Sequence, residues 1–175
     1  MARKEENTKF KLIHPKLGNA GWLKHDWQID MEYPITAGRI NWDGKTSKRS
    51  RPIYADYVLR YMPSLAIAVV EAKDKDLHHL EGAAQAKEYA QKLGLWFAYS
   101  SNGHEIEFFD LKAGTQQTIP AFHSPEELWD MYLKHLGSSG SENHRLVFQY
   151  LGRPLQPAWA RARGAFGATG IRCSD

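Results

Sequence analysis

Two residues of opposite charge end an apolar segment, LAIAVVEAK, at residues 65–73. Alternate side chains of a β-strand share a face, so Glu71 and Lys73 are predicted on one side of a strand and Ala72 on the other. Asp56 lies in the preceding segment, IYADYVLRY, whose aromatic and β-branched residues predict a neighbouring strand. Buried charges of this kind persist where they compensate one another or hold a cation.

A divalent cation would satisfy both carboxylates, because Asp and Glu oxygens are the hard ligands that Mg²⁺ prefers. A lysine beside such a cation can orient water or stabilise the charge that develops on a phosphate during in-line attack. The pattern therefore predicts a Mg²⁺ site with Asp56 and Glu71 as ligands and Lys73 as the assisting group.

Hydrophobic spacing predicts the elements that position these residues. Residues 65–70 are apolar at consecutive positions, which is typical of a strand covered on both faces in a layered α/β sheet. Helical spacing follows over residues 77–93 and ends at Gly94, and the side chains predicted to face inward are Leu77, Leu80, Ala84, Ala90 and Leu93. Further strands are predicted at residues 26–33, 38–42, 53–61 and 95–100.

Turn residues and loss of periodicity separate these elements. Residues 8–21 have the spacing of an amphipathic helix, whereas residues 43–52 are polar and basic without a period, which predicts a loop. Asn102 and Gly103 predict a hairpin between LWFAYS and HEIEFFDL, because both residues tolerate positive φ.

A last helix is predicted to begin at Ser124, with Pro125 in the first turn and Glu127 completing a capping box. Beyond it the composition shifts to Ser, Gly, Arg and Ala without a durable period. We therefore expect one domain at residues 1–137 and a linker or tail at residues 138–175.

Composition restricts the class of protein. The 175 residues are 42% hydrophobic and 25% charged, as in one soluble globular domain, and the net charge of +3 excludes a strongly basic, histone-like protein. No segment has the length and apolarity of a membrane span or an export signal. Cys173 is the single cysteine, so no internal disulfide or cysteine zinc cluster is possible. We expect a cytoplasmic protein.

The motif resembles that of a known nuclease family. Asp56, followed after fourteen residues by Glu71, Ala72 and Lys73, is similar to the PD-(D/E)xK motif, with Ala55 in place of the motif's proline. The segment QAKEY at residues 85–89 resembles the QxxxY element of the N-terminal nuclease domain of type I restriction enzyme R subunits. Other similar segments come in the family's order and extend the resemblance over roughly residues 5–136: EYPITAGRI, ADYVLRY, EGAAQAKEYA, FAYSSNGHEIEFFDL and SPEELW.

The resemblance implies an α/β, restriction-endonuclease-like core with a central mixed β-sheet flanked by α-helices. It implies a Mg²⁺-dependent endonuclease that hydrolyses double-stranded DNA, with the Ala72 carbonyl as a further metal ligand beside the two carboxylates. By the same resemblance, Gln85 and Tyr89 contact DNA or support the site, and an acid of the first helix, Glu5 or Glu6, can add to it.

The resemblance further implies a prokaryotic complex with modification and specificity subunits, in which ATP drives a motor region of the full-length R subunit. This chain contains no Walker motif. Gly44-Lys45-Thr46 lacks the earlier glycine and the following helix of a phosphate-binding loop, so no ATP site is predicted here.

Beside a nuclease site, the basic residues of this loop could instead contact the phosphates of DNA; these residues are Lys45, Lys48, Arg49 and Arg51. The pair His78-His79 lacks the spacing of a zinc motif and predicts ordinary surface histidines.

Two alternatives remain open from the sequence. In the first, the chain has the same metal-dependent nuclease activity but is a stand-alone nuclease or a relative of type III restriction enzymes. The other is a non-catalytic DNA-binding or subunit-docking module with the same fold and no working metal site.

Overall fold

The computed structural model describes residues 2–36, 40–42, 47–49 and 52–137, with side chains for residues 5–36 and 52–137. The helices are α1 (Ala2–Thr8), α2 (His14–Asn19), α3 (Ala83–Leu93) and α4 (Pro125–His135). A π-helical turn, Lys9–Ile13, joins α1 to α2, and 3₁₀ turns at Asp26–Gln28 and His79–Gly82 precede β1 and α3. The strands are β1 (Ile29–Thr36), β2 (Ile40–Trp42), β3 (Ser47–Arg49), β4 (Ile53–Met62), β5 (Leu65–Ala72), β6 (Phe97–Ser101), β7 (Ile106–Asp110) and β8 (Thr115–Ile119).

A mixed six-stranded sheet forms the centre of the fold, in the order β1-β4-β5-β6-β7-β8. Only the pair β5–β6 is parallel among these neighbours, and α3 provides the crossover that a parallel pair requires. The predicted α/β class with a mixed sheet and flanking helices is therefore confirmed.

Helices cover both faces of the sheet. On one face Leu17 of α2 and Trp129 of α4 belong to the larger apolar cluster, together with Phe97 of β6. On the other face Ala86 and Ala90 of α3 belong to a second cluster. Strand β5 lies between these layers, which explains why its sequence is apolar at consecutive positions.

The strand register aligns polar residues across the sheet. Glu71 pairs with Ser100, Ser100 with Glu107, and Glu107 with Thr118. On the other side of β5, the pairing of Tyr57 with Val70 places Asp56 at the level of Glu71. The pairs that flank Glu32 place it opposite Asp56. We call this set the polar row; its members are Glu32, Asp56, Glu71, Ser100, Glu107 and Thr118.

The predicted helix over residues 77–93 begins too early. Helix α3 starts at Ala83, after a turn and the 3₁₀ segment, so Leu77 and Leu80 are 48% and 39% exposed rather than buried. Ala84 is also exposed, whereas Ala90 is buried as predicted and Leu93 is partly buried. The apolar spacing in residues 77–82 lies in a turn, where helical periodicity has no meaning.

The predicted loop at residues 43–52 is wrong at Ser47–Arg49, which forms β3 and pairs with β2. Strand β8, with the sequence TQQTI, was not predicted. Both strands lack an apolar alternation, because β8 is an exposed edge strand and β3 belongs to a separate two-stranded ribbon. Pairing with a neighbour, rather than burial of alternate side chains, defines them.

The turn and cap predictions have mixed outcomes. Asn102 and Gly103 do connect β6 to β7, but the connection spans residues 102–105 and only Gly103 of the two has positive φ, at +85°. The side-chain oxygen of Asn102 instead accepts hydrogen bonds from the backbone amides of His104, at 3.0 Å, and Glu105, at 2.9 Å. The capping box of Ser124 and Glu127 is confirmed.

The N-terminal helix prediction at residues 8–21 is confirmed in type, although helical structure begins at Ala2 and passes through the π-helical turn. Across the described ranges, every helix is too short or too polar to cross a membrane. The predicted tail at residues 138–175 lies outside the described residues, so the domain boundary stays a prediction.

Candidate metal centre

Three carboxylates from three elements meet at one end of the sheet. Glu5 of α1, Asp56 of β4 and Glu71 of β5 each offer an oxygen, and these oxygens lie within 4.8 Å of one another. We call these residues the acid cluster. The structure thus brings together the two carboxylates that the sequence singled out. It selects Glu5 over Glu6, whose side chain is exposed.

Asp56 is fixed through both of its oxygens. The backbone amide of Ala72 donates a 2.7 Å hydrogen bond to Oδ2, and the ammonium of Lys9 forms an ion pair with Oδ1. The residue is only 8% exposed. A buried carboxylate held on two sides is pre-oriented, because neither oxygen is left to solvent.

Glu71 is buried but incompletely paired. Its Oε1 accepts a 2.9 Å hydrogen bond from Lys73, whereas its Oε2 has no hydrogen-bond partner among the described residues. Burial, and next the negative charge of Asp56, raise the pKa of Glu71 to about 7. A cation at Oε2 would supply the missing partner and favour the ionised carboxylate, so the donor set fits a divalent metal ion.

Lys73 directly follows β5 and lies on the same side of the sheet as Glu71, as the spacing predicted. Burial is the largest influence and opposes its charge, but the hydrogen bond to Glu71 and the negative charges of Glu71, Glu5 and Asp56 together outweigh burial and raise the pKa of Lys73 above its usual value. The side chain therefore remains an ammonium at neutral pH. Its position next to Glu71 allows it to act on the same bound group.

Lys9 was missed by the sequence analysis. It is the first residue of the π-helical turn, and its Nζ lies 2.6 Å from Glu32 Oε1 while also pairing with Asp56. Burial opposes the charge, yet the bonds to Asp56 and Glu32 raise the pKa of Lys9. The four-residue spacing between Glu5 and Lys9 was the available sign, because such residues share a helix face.

The predicted support residues lie on α3 beside the acid cluster. Gln85 Nε2 donates to Tyr89 Oη at 3.4 Å, so the one-turn spacing does bring them together. Tyr89 is 8% exposed, and burial followed by the charge of Glu71 raises its pKa. The hydroxyl is therefore within electrostatic range of the cluster, while the ring packs in the core under α3.

Gly82 brings the turn before α3 against the site. A Cβ at this position would lie 2.6 Å from Ser100 Oγ, 3.0 Å from Glu71 Cγ and 3.1 Å from Lys73 Cε. These distances are shorter than a side chain tolerates. The absence of a side chain at residue 82 therefore lets the backbone cover the polar row next to the acid cluster.

The neighbouring histidines do not join the cluster. His79 is buried, with Nδ1 at 2.9 Å from Glu105 and Nε2 at 3.3 Å from Glu107, whereas His78 is exposed. In the part of the chain that the structure describes, the acid cluster is the one group of three or more His, Cys, Asp or Glu side chains that lie close enough together to share a metal ion.

The basic residues proposed to contact phosphate stay untested. Lys45 and Arg51 lie outside the described residues. Lys48 and Arg49 belong to β3, but their side chains are not described.

Comparisons with known proteins agree with the motif resemblance. No protein-family model matches the chain. Over 128 residues, 70% of this chain, it is 34% identical to the endonuclease subunit of the type I restriction enzyme EcoAI from Escherichia coli, of which it spans 16%. A solved fragment described as an HsdR subunit of a type I restriction enzyme from Vibrio vulnificus has a TM-score of 0.73 and 39% identity, and the match covers 79% of this chain and 27% of that one. These similarities support a relationship between the chain and the R subunits of type I restriction enzymes, and the chain spans less than a third of the length of either match.

Proposed function

We propose that this chain is the nuclease domain of a type I restriction enzyme R subunit and that it hydrolyses phosphodiester bonds of double-stranded DNA with Mg²⁺. The observation that carries the proposal is the acid cluster around a buried oxygen of Glu71 that has no hydrogen-bond partner in the described part of the chain, with Lys73 alongside. The similarity to the EcoAI endonuclease subunit supports the same assignment.

In this proposal Glu5, Asp56 and Glu71 hold the metal ion, and the family resemblance adds the Ala72 carbonyl. When bound, a divalent cation supplies Lewis-acid stabilisation of the charge that develops on the phosphate and acidifies water. Carboxylate oxygens and a substrate phosphate are the usual ligands of Mg²⁺, which retains several waters.

The protein's own residues would orient the metal ligands and the attacking water and would neutralise charge on the phosphate. The Ala72 amide holds Asp56 in one orientation, so little reorganisation is needed when substrate arrives. The ammonium of Lys73 lies where it can orient a water for in-line attack or stabilise the phosphate's developing charge. The turn at His79–Gly82 restricts access of water to Glu71 from one side.

Gln85 and Tyr89 are proposed to contact DNA or to hold the acid cluster in place. The basic residues of the β2–β3 region are proposed to contact phosphates through Lys45, Lys48, Arg49 and Arg51. Such contacts position the duplex without reading its sequence. Recognition would then belong to the modification and specificity subunits, ATP would be used by a motor region of the full-length R subunit, and the complex would act in the cytoplasm of a prokaryotic cell.

Calorimetric titration with Mn²⁺ or Mg²⁺ tests the metal centre directly. We expect binding to the unmodified protein and a loss of affinity of roughly tenfold or more in Asp56→Asn and Glu71→Gln. Asp30→Asn is the matched control, because Asp30 pairs with Arg60 rather than with the acid cluster. Equal binding by all four proteins would overturn the proposal.

One observation favours a second candidate, a non-catalytic module of the same fold. The ion pair between Lys9 and Asp56 already neutralises one carboxylate of the site without a metal. If the unmodified protein binds neither ion at millimolar concentration but still binds duplex DNA, this candidate replaces the nuclease.

A further inference from the structure

The ammonium of Lys9 is built into the site. Its side chain is 11% exposed and lies between the carboxylates of Glu32 and Asp56. Both partners belong to the polar row, on adjacent strands β1 and β4. The charge of Lys9 is therefore a fixed part of the site rather than a solvated surface charge.

The conformation of Glu32 and a hydrogen bond of Thr8 help to hold this arrangement. Glu32 has φ of +49°, a left-handed conformation that residues other than glycine rarely adopt and that is retained where the surroundings impose it. Helix α1, which leads directly into Lys9, is attached to the segment after β5, because the hydroxyl of Thr8 accepts a 3.2 Å hydrogen bond from the backbone amide of Lys75. π-Helical turns, such as the one that begins at Lys9, frequently occur at functional sites.

Counting charges limits what else the site can hold. With Glu71 ionised by a bound cation, four carboxylates adjoin the site: the three of the acid cluster, and Glu32 at its rim, whose side chain is 60% exposed. Two ammonium groups, from Lys9 and Lys73, are paired with them. The difference of two negative charges equals the charge of one divalent cation. A second divalent ion would leave an excess of positive charge beside the buried Asp56 and Glu71, which is costly.

Geometry leads to the same limit. Sites with two metal ions hold them about 3.5–4 Å apart and share carboxylates between them. Asp56 is the central carboxylate here. A first ion can share its Oδ2 with the Ala72 amide, because each oxygen of an ionised carboxylate has two acceptor sites, whereas its Oδ1 already pairs with the positive charge of Lys9. A second ion that bridges through Asp56 would have to displace Lys9.

We propose that the Lys9 ammonium takes the place of a second metal ion, so that the centre binds a single divalent cation. This inference rests on the proposed function, since it concerns the metal centre of that nuclease. Lys9 is then a positioning residue: it holds Asp56 in place before the metal binds and supplies a fixed positive charge afterwards.

The number of bound ions tests this inference without measuring activity. Calorimetry with Mn²⁺, with the ions also counted by anomalous diffraction from soaked crystals, should give one ion for the unmodified protein. Lys9→Met should bind two, because Asp56 Oδ1 and Glu32 are released, and Lys9→Arg should bind one. Lys92→Met is the control, since Lys92 pairs with Glu88 on the surface of α3, and it should also bind one ion.

The outcomes separate this inference from the proposed function. Two ions in the unmodified protein, or one ion in both the unmodified protein and Lys9→Met, would overturn the role of Lys9 and leave the nuclease proposal standing. No ion in either protein would overturn both. If Lys9→Met does not fold, the crystals of the unmodified protein decide, because the inference requires one anomalous peak with Lys9 still against Asp56.

Discussion

The backbone amide of Ala72 donates a 2.7 Å hydrogen bond to Oδ2 of Asp56, which joins the two strands of the acid cluster through a side chain. Asp56→Ala would leave this buried amide without a partner, whereas Asp56→Asn retains an oxygen that can accept. We expect Asp56→Ala to have a free energy of unfolding about 1–3 kcal/mol below that of Asp56→Asn. Urea denaturation in the presence of a chelator measures both.

The same pair of substitutions at Asp30 is the control. Asp30 is partly exposed and pairs with Arg60, so its Ala and Asn variants should differ by less than about 1 kcal/mol. An equal gap at the two positions would mean that the Ala72 amide does not depend on Asp56.

Glu71→Gln should stabilise the metal-free protein at alkaline pH. The folded-state pKa of Glu71 is raised to about 7 from an ordinary 4.5, so between these values the folded state holds a proton that the unfolded state has lost. Stability contributed by protonated Glu71 is therefore lost as pH rises through this window, and the glutamine variant lacks that loss. We expect its advantage in free energy of unfolding to grow by about 1–3 kcal/mol between about pH 5 and pH 8.

Thermal or urea unfolding in a chelating buffer gives this difference. Added Mn²⁺ should reverse the order at about pH 8, because an ion bound to the folded state stabilises only the protein that retains the carboxylate. An advantage that is independent of pH would show that the charge of Glu71 is not costly in the fold.

Lys73→Met should separate metal binding from catalysis. The methionine retains the bulk of the stem but not the ammonium, so the acid cluster keeps its ligands and loses the group proposed to assist the attack. We expect metal affinity within about tenfold of the unmodified protein and a fall in DNA cleavage of about a hundredfold or more in the assembled restriction complex. Lys75→Met is the control, because Lys75 is exposed and pairs with Asp76; its cleavage rate should not change.

Gly82→Ala should disturb the site through contact alone. The backbone of Gly82 has a φ of −91°, which alanine accepts, but the new Cβ would lie 2.6 Å from Ser100 Oγ and 3.0 Å from Glu71 Cγ. We expect destabilisation of about 1–3 kcal/mol and weaker Mn²⁺ binding.

Gly94→Ala separates these two effects. Gly94 has φ of +70° with nothing within 4 Å of an added Cβ, so alanine there should cost about 1 kcal/mol and leave Mn²⁺ binding unchanged. Unfolding and calorimetry on both variants give the comparison. Intact binding in Gly82→Ala would mean that the turn adapts without moving Glu71.

The centre of the fold could be predicted because burial leaves a mark on the sequence. Strand β5 is apolar at successive positions since both of its faces are covered, and its charged end therefore stands out. The period of two then placed Glu71 and Lys73 on one face. Asp56 was placed beside them by the inference that IYADYVLRY is an adjacent strand, which the pairing of β4 with β5 confirms.

The rest of the site depends on contacts that local periodicity does not encode. Lys9 pairs with Glu32 and Asp56, which are 23 and 47 positions away along the chain, so only the packing of the first helices against β1 and β4 reveals its role. Strand β8 is polar and exposed, and it exists because the edge of β7 offers hydrogen bonds. Leu77 shows the opposite kind of failure: its apolar spacing predicted a buried helical residue, but it lies in a turn and is exposed.

The polar row has a consequence for how chains of this kind can vary in length. Each member reaches its neighbours because the strands are in register, and a shift of one residue turns every following side chain to the opposite face. Deleting Val69 would thus turn the side chain of Glu71 toward the apolar cluster on the opposite face of the sheet. The acid cluster would then be lost, although none of its three acidic residues had been substituted. Insertions and deletions that preserve the acid cluster are therefore expected in the connections between strands, such as the turn at Pro63.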